Sequence, residues 1–228
     1  MAPGCILLSG GYSHPFEETG DELASAIARK GWNVSRFPGV CEALESLTEQ
    51  TDLLVVNALY WTMAQHEKYA ADREEWTFEL SGPYLQKMQD FVAAGGALLV
   101  LHTSVICFDT QPGWINLIGG GWHWGRSYHP PLGKADIRLT PEGQSVSSGP
   151  ATFSLQDEVY HALNPSPDCT ILAEGNAGEG FQPVVWVRPV GKGLVAVNSL
   201  GHDGHSLRVA GHRALIDGIL EQMRSRHA

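Results

Sequence analysis

The run Gly95-Gly96-Ala97-Leu98-Leu99-Val100-Leu101-His102-Thr103-Ser104 decides the fold. An apolar stretch follows a glycine pair and stops abruptly at His-Thr-Ser. A short apolar run without alternation, bounded by glycine, is the pattern of a strand buried on both faces. In an open parallel sheet, ligands bind just beyond the carboxyl ends of the strands, near the point where strand order reverses. The spacing therefore places His102 on a functional rim.

Upstream, residues 5–8 are apolar and end in Ser9-Gly10-Gly11-Tyr12-Ser13-His14. Leu23, Ala24, Ile27 and Ala28 then fall at helical spacing, and Gly31 closes that helix. Residues 32–37 alternate like a strand, and 40–47 read as a helix. Residues 52–57 form a second unalternating strand, ending in Asn57 with Trp61 just beyond. Residues 61–80 are polar and irregular, an insertion or a lid. Leu85, Met88, Phe91 and Val92 share one face of a helix over 83–94. Strands alternating with helices imply a parallel sheet with right-handed crossovers and helices on both faces.

Downstream the character changes. Residues 134–140 alternate, and 153–163 and 169–173 read as strands. Residues 183–190 and 194–198 pair around Gly191-Lys192-Gly193, a tight-hairpin signal. A last helix over 209–224 buries His212, Leu215, Ile216, Ile219, Leu220 and Met223. The expected architecture is α/β: a three-layer αβα sandwich on a mostly parallel sheet, with additional antiparallel strands in the C-terminal half. One domain over 1–228 accommodates it.

Composition narrows the function. The net charge is −10 without a basic cluster, which argues against nucleic acid and anionic membranes as partners. No apolar run approaches the roughly 18–20 residues that span a bilayer. Residues 1–4 lack the cationic start of a signal peptide. Four cysteines without CxxC spacing read as reduced thiols, so a cytoplasmic location is expected. Neither a G-x-G-x-x-G turn nor a Gly-Lys-Ser/Thr loop precedes a helix, so no nucleotide cofactor is expected. The sequence leaves a homo-oligomer open.

Chemistry points to histidine. His14, His102 and His202 each follow a strand closely, and in a parallel sheet those ends share one rim. Imidazole is both a transition-metal ligand and the usual acid or base near neutral pH. A loop histidine held by hydrogen bonds is the plainer reading of any one of them taken singly. In Gln156-Asp157-Glu158-Val159-Tyr160-His161 a period of two puts Asp157 and Glu158 on opposite faces, so one acid points inward. A buried or metal-held carboxylate is a natural acid or base; an exposed meander with a charged outer face is the competing reading. The Gly119–Pro131 stretch interleaves Trp122, His123, Trp124, Tyr128 and His129 with glycines. Aromatic faces suit the apolar faces of sugars, although such a loop can also plug a core.

Nucleophiles are scarce. A glutamine amidotransferase needs a cysteine on the strand-to-helix elbow and a His-x-Glu pair to polarise it. Here His102 holds the elbow, and no histidine has glutamate two residues later. Cys107 lies five residues on, without that base. Ser104 and Ser199 lack a G-x-S-x-G frame.

Taken in order, several pieces resemble the trehalose-utilisation ThuA-like family. They are Ser9-Gly10-Gly11 with His14-Pro15-Phe16-Glu17-Glu18, then Gly95 to His102, then Gly119-Gly120 with His129-Pro130. Asp157-Glu158-x-Tyr160, Pro183-Val184-x-Trp186, Gly191-Lys192-Gly193 and Ser199-Leu200-Gly201-His202-Asp203 follow. The resemblance implies the class I glutamine amidotransferase-like variant of the flavodoxin sheet, with the nucleophile lost. It also implies metabolism of trehalose, related disaccharides or keto-sugars, often beside sugar dehydrogenases. By position it maps His102, His129, Glu158, His202 and Asp203 onto the family pattern. The Trp-rich segment and the 61–80 insertion depart from that pattern and bear on the substrate.

The leading expectation is an enzyme acting on a small sugar or keto-sugar by isomerisation, elimination, hydration or hydrolysis, without glutaminase activity. His102, Glu158, His202 and Asp203 are the expected catalytic residues. Tyr12, His14, Asn57, Trp61, Trp122, Trp124 and Tyr160 are the expected substrate-binding ones. A divalent metal, zinc or manganese, would sit on His102, His129 and His202. The alternative is a non-catalytic carbohydrate-binding or assembly protein on the same fold.

Overall fold

The computed structural model describes residues 2–226. Its first half runs β1 (Gly4–Gly11), α1 (Phe16–Arg29), β2 (Asn33–Phe37), α2 (Val40–Glu45), β3 (Thr51–Leu59), α3 (Arg73–Trp76), α4 (Gly82–Ala94) and β4 (Ala97–Leu101). The second half runs α5 (Pro112–Ile118), β5 (Gly133–Leu139), α6 (Pro141–Val146), β6 (Thr152–Asp157), β7 (Thr170–Asn176), β8 (Gln182–Val190), β9 (Gly193–Asn198), α7 (Gly204–Arg208) and α8 (Ala210–Arg224).

These strands form one sheet in the order β2-β1-β3-β4-β9-β8-β7-β5-β6. From β2 to β9 neighbours are parallel. From β9 to β6 they are antiparallel. The sheet is therefore evenly mixed, which corrects the expectation of a mostly parallel one. The cause is the connections. In the first half a helix returns the chain to the starting edge before each new strand. In the second half, hairpins such as the one around Gly191-Lys192 reverse it instead.

The unalternating runs have the predicted cause. Along β4, Leu99 and Leu101 pack into one cluster with Leu23 and Ile27 of α1 and Leu215 and Ile219 of α8. Leu98 and Val100 pack into another with Leu44 of α2, Met88 of α4 and Trp114 of α5. Helices cover both faces, so every position on the strand pays its way by burial, each full Leu or Val contributing about 1.5–3 kcal/mol. Strand order reverses between β1 and β3, the flavodoxin-type switch, so the ends of β1, β3, β4 and β9 define the rim.

One strand departs from the sequence expectation. The strand expected over 153–163 ends at Asp157. Beyond it the backbone leaves the sheet, with positive φ at Ala162 (56°) and Asn164 (49°). Residues 61–80 hold a 3-10 turn (Glu67–Tyr69) and α3, and they fold onto the rim. Tyr12 donates to Asp72 Oδ2 at 2.7 Å and makes edge contacts with Trp61, Tyr69 and Trp76. Among the described residues no helix is long and apolar enough to cross a membrane.

Candidate functional site

His102 is the first residue past β4 and has φ = 42°. A non-glycine residue in the left-handed region costs about 1–2 kcal/mol, and such strain gathers at functional sites. The sharp elbow is thus present, with imidazole where a nucleophile would stand. The ring is buried, and Nδ1 lies 3.0 Å from the Ser199 carbonyl oxygen, beyond the end of β9. A carbonyl only accepts, so Nδ1 carries the proton and Nε2 presents a lone pair. That lone pair faces the Tyr160 hydroxyl at 3.2 Å. Burial, reinforced by the neighbouring His14, pushes the His102 pKa well below the usual imidazole value, so the ring is neutral near pH 7.

Glu158 lies at the centre. Its Oε2 is 3.6 Å from His102 Nε2, and its Oε1 is 3.6 Å from His129 Nδ1 and 3.8 Å from His202 Nε2. The Tyr160 hydroxyl is 3.4 Å from Oε2. Tyr160 has one proton for two acceptors, His102 Nε2 and Glu158 Oε2. Burial, with Glu158 and Asp157 nearby, raises its pKa well above the usual phenol, which keeps that proton in place.

The loop after β1 brings in His14. A Cβ on Gly10 would lie 2.5 Å from the Pro38 carbonyl oxygen, and one on Gly11 would crowd the Leu59 carbonyl. Only glycines let the backbone pass there and deliver Tyr12 and His14 to the rim. His14 Nδ1 lies 3.3 Å from the Tyr12 carbonyl oxygen, and burial lowers its pKa. The rings of His14, His102 and His202 form a triangle, with centroids 5.2 to 5.5 Å apart. Convergence of these three, inferred from strand ends alone, is what the fold produces.

Aromatic contacts continue from the triangle. His102 meets Tyr160 (5.0 Å), Tyr160 meets Trp122 (5.3 Å), Trp122 meets Trp124 (6.0 Å), and Trp124 meets Trp61 (6.5 Å). Trp61 meets Tyr12 at 5.7 Å, two residues before His14. The indole N–H groups of Trp61, Trp122 and Trp124 are buried without a protein acceptor among the described residues.

Two sequence candidates have other work. Asn57 is buried, and its Nδ2 donates to Ser9 Oγ (3.1 Å) and Thr19 Oγ1 (2.9 Å), fastening β3 to β1 and α1. Asp203 is the N-cap of α7, accepting from Ser206 N at 3.0 Å. The metal set expected from sequence also changes. The ligand atoms lying within 4.8 Å of one another belong to His14, Glu158 and His202, not to His102, His129 and His202. His129 sits at the exposed edge, with Nδ1 2.9 Å from the Pro130 carbonyl oxygen.

The residues expected to act in the site did not include its hub, Asp157. It is fully buried and accepts from Glu158 N (2.8 Å), Gly201 N (2.8 Å), His202 N (3.4 Å) and the Ser206 hydroxyl. One carboxylate thereby fixes the backbones that carry both Glu158 and His202. Burial outweighs those hydrogen bonds and raises its pKa to about 6. Ser206 continues to His212 Nδ1 at 3.2 Å, and His212 Nε2 reaches Asn198 at 2.8 Å. The inward-facing acid was visible in the strand pattern; the partners from α7 and α8 were not.

Cys107 does not suit catalysis. Its thiol is buried between the Ala58 carbonyl and Tyr60 N, and burial pushes its pKa up to about 12. A nucleophilic cysteine needs the opposite shift.

A family model described as trehalose utilisation, ThuA, matches residues 7–220. The chain belongs to the ThuA family. Among solved structures, this ThuA protein is similar to a ThuA-like protein from Parabacteroides merdae ATCC 43184 (TM-score 0.74, 14% identity, covering 98% of this chain and 90% of that one). It is also similar to a cytoplasmic protein from Salmonella typhimurium LT2 (0.64, 14% identity, 96% and 98%). A third likeness is to a β-galactosidase from Bacillus circulans sp. alkalophilus (0.63, 15% identity), covering 98% of this chain and 31% of that one. At these identities the likeness is one of fold. No curated protein sequence matches the chain. ThuA membership supports a role in carbohydrate metabolism.

Proposed function

We propose that this ThuA protein is an enzyme that moves a proton on a small sugar or keto-sugar, with Glu158 as the base. The observation that carries the reading is the setting of Glu158: a mostly buried carboxylate faced by three imidazoles and a phenol, with no lysine or arginine paired to it among the described residues. Removal of a proton from the carbon beside a ketone leaves an ene-diolate. Glu158 receives that proton, and the electron pair moves onto the carbonyl oxygen. Return of the proton to the adjacent carbon gives isomerisation; loss of a hydroxyl from the next carbon gives elimination.

The aromatic side supports a hydroxyl-bearing ligand. Trp122 and Trp124, both partly exposed, offer ring faces, and the N–H groups of Trp61, Trp122 and Trp124 have no protein acceptor among the described residues. A shift of these side chains that brought the N–H groups, now shielded from solvent, onto sugar hydroxyls would recover the cost of burying them, about 1–3 kcal/mol each. We also read the protein as cytoplasmic, like the Salmonella neighbour.

The test is incubation with a 3-keto-glucoside, followed by NMR, for wild type and Glu158→Gln. The proposal expects an isomerised or eliminated product from wild type and at least about a hundredfold less from the variant. Sugar binding that is equal in both proteins, with no product from either, would instead favour a carbohydrate-binding module.

A further inference from the structure

We infer that His14, Glu158 and His202 form a binding site for one divalent transition-metal ion. The three residues come from the ends of β1, β6 and β9, and each offers a ligand atom within 4.8 Å of the other two. The contacts of Glu158 oxygens with imidazole nitrogens, 3.6 to 3.8 Å, are too long for hydrogen bonds. They approach the separation that two ligands of one ion keep, about 3.3 Å for bonds of 2.0–2.1 Å at tetrahedral angles.

The proton positions fit as well. His14 turns Nδ1 to the Tyr12 carbonyl, and His102 turns Nδ1 to the Ser199 carbonyl. A backbone carbonyl on one ring nitrogen is the usual second partner of a metal-bound histidine, because it leaves the other nitrogen's lone pair free. His202 Nδ1 is buried without a partner among the described residues, none of which fixes the tautomer of that ring. The Glu158 carboxylate is 87% buried, at 13% side-chain exposure, and has no lysine or arginine partner among the described residues, so a metal cation there would balance its charge. Two imidazoles and a carboxylate make the donor set of an open catalytic zinc site, and manganese accepts the same atoms. His102 Nε2, 3.6 Å from Glu158 Oε2, stands next to that set.

As an ion site the inference rests on geometry; any catalytic use of the ion rests on the sugar reading above. There it would polarise the substrate carbonyl while Glu158 or a neighbouring imidazole handles the proton.

The experiment uses full-length protein purified without a polyhistidine tag, stripped with chelator, and titrated with Co²⁺, Zn²⁺ and Mn²⁺ separately. Elemental analysis gives stoichiometry, and the visible spectrum of the cobalt form gives ligand geometry. The inference expects one ion per chain for at least one metal. It expects His14→Ala and His202→Ala each to weaken binding at least about tenfold, while the exposed His66→Ala does not. Circular dichroism confirms that each variant is folded; should His202→Ala fail to fold, His14→Ala decides. No saturable binding, or affinity unchanged in His14→Ala, overturns the ion site. Tight binding without turnover of any sugar leaves the ion site standing and removes the sugar reading. Turnover by chelator-stripped protein leaves the sugar reading standing, and with no saturable binding it removes the ion.

Discussion

At the scale of single residues, the site depends on one strained position and one buried acid. His102 holds φ = 42°, which glycine adopts freely and alanine does not. His102→Gly and His102→Ala lose the same ring, so they differ mainly in backbone strain. Urea unfolding should find the alanine variant less stable by about 1 kcal/mol; equal stabilities would mean the elbow is not under strain. Asp157 answers four donors at once. In Asp157→Ala those donors are left unpaired at about 1–3 kcal/mol each before relaxation. Differential unfolding should therefore show a loss well above that of Asp203→Ala, which removes only a cap worth about 1 kcal/mol. His102, Glu158, His202 and His14 were legible in sequence because strand-end position and side-chain chemistry point the same way. The structural partners of Asn57, Ser9 and Thr19, lie 48 and 38 residues away, and spacing along the chain carries no record of them.

At the scale of elements, β6 meets α7 and α8 through the chain Asp157–Ser206–His212. The two titratable ends respond to acid with opposite signs. Burial lowers the His212 pKa to about 4, so its contribution is present above the unfolded value near 6.5 and is lost as the pH falls toward 4. Asp157 is raised to about 6, so its contribution is full below about 4 and is lost as the pH rises through 6. Each amounts to about 3 kcal/mol across its window at 1.36 kcal/mol per unit, and between pH 4 and 6 they nearly cancel. The buried His102 and the half-buried His14, whose pKa values are also lowered, lose their contributions over the same range, so wild-type stability should fall as the pH drops from 6 to 4. His212→Gln keeps a polar side chain but cannot titrate, so it should lose less stability than wild type as the pH falls from 6 to 4, by up to about 3 kcal/mol. Denaturant midpoints at several pH values check this; parallel profiles for the two proteins would show that the network does not titrate as described. Periodicity located most of these elements, α8 with its whole buried stripe included. It missed α3, α5, α6 and α7, at four to seven residues each, although it located the six-residue α2, and it carried β6 past Asp157 because alternation continues where the backbone does not.

At the scale of the whole molecule, one sheet divides the labour. Its parallel half supplies the rim, with the ends of β1, β3, β4 and β9, and its antiparallel half supplies Glu158 and Tyr160 from beyond β6. The hairpin that joins the halves packs tightly on α4 and the turn after it: a Cβ on Gly193 would clash with the carbonyl oxygens of Val92 and Gly96. Gly193→Ala should destabilise the protein by about 1–3 kcal/mol through this backbone clash, read from its thermal midpoint. An unchanged midpoint would mean the hairpin can shift freely against α4. The parallel half was readable because helix crossovers leave unalternating apolar runs. The proportion of antiparallel pairing was not, since loop sequences between later strands do not say which neighbour a strand will join. The central claim is that Glu158 takes a proton from the carbon beside a ketone. Its most direct measurement is deuterium uptake at that carbon when wild type and Glu158→Gln are incubated with a 3-keto-glucoside in D₂O. Uptake by wild type, reduced at least about a hundredfold in the variant, is the predicted result; equal uptake by both proteins would contradict it.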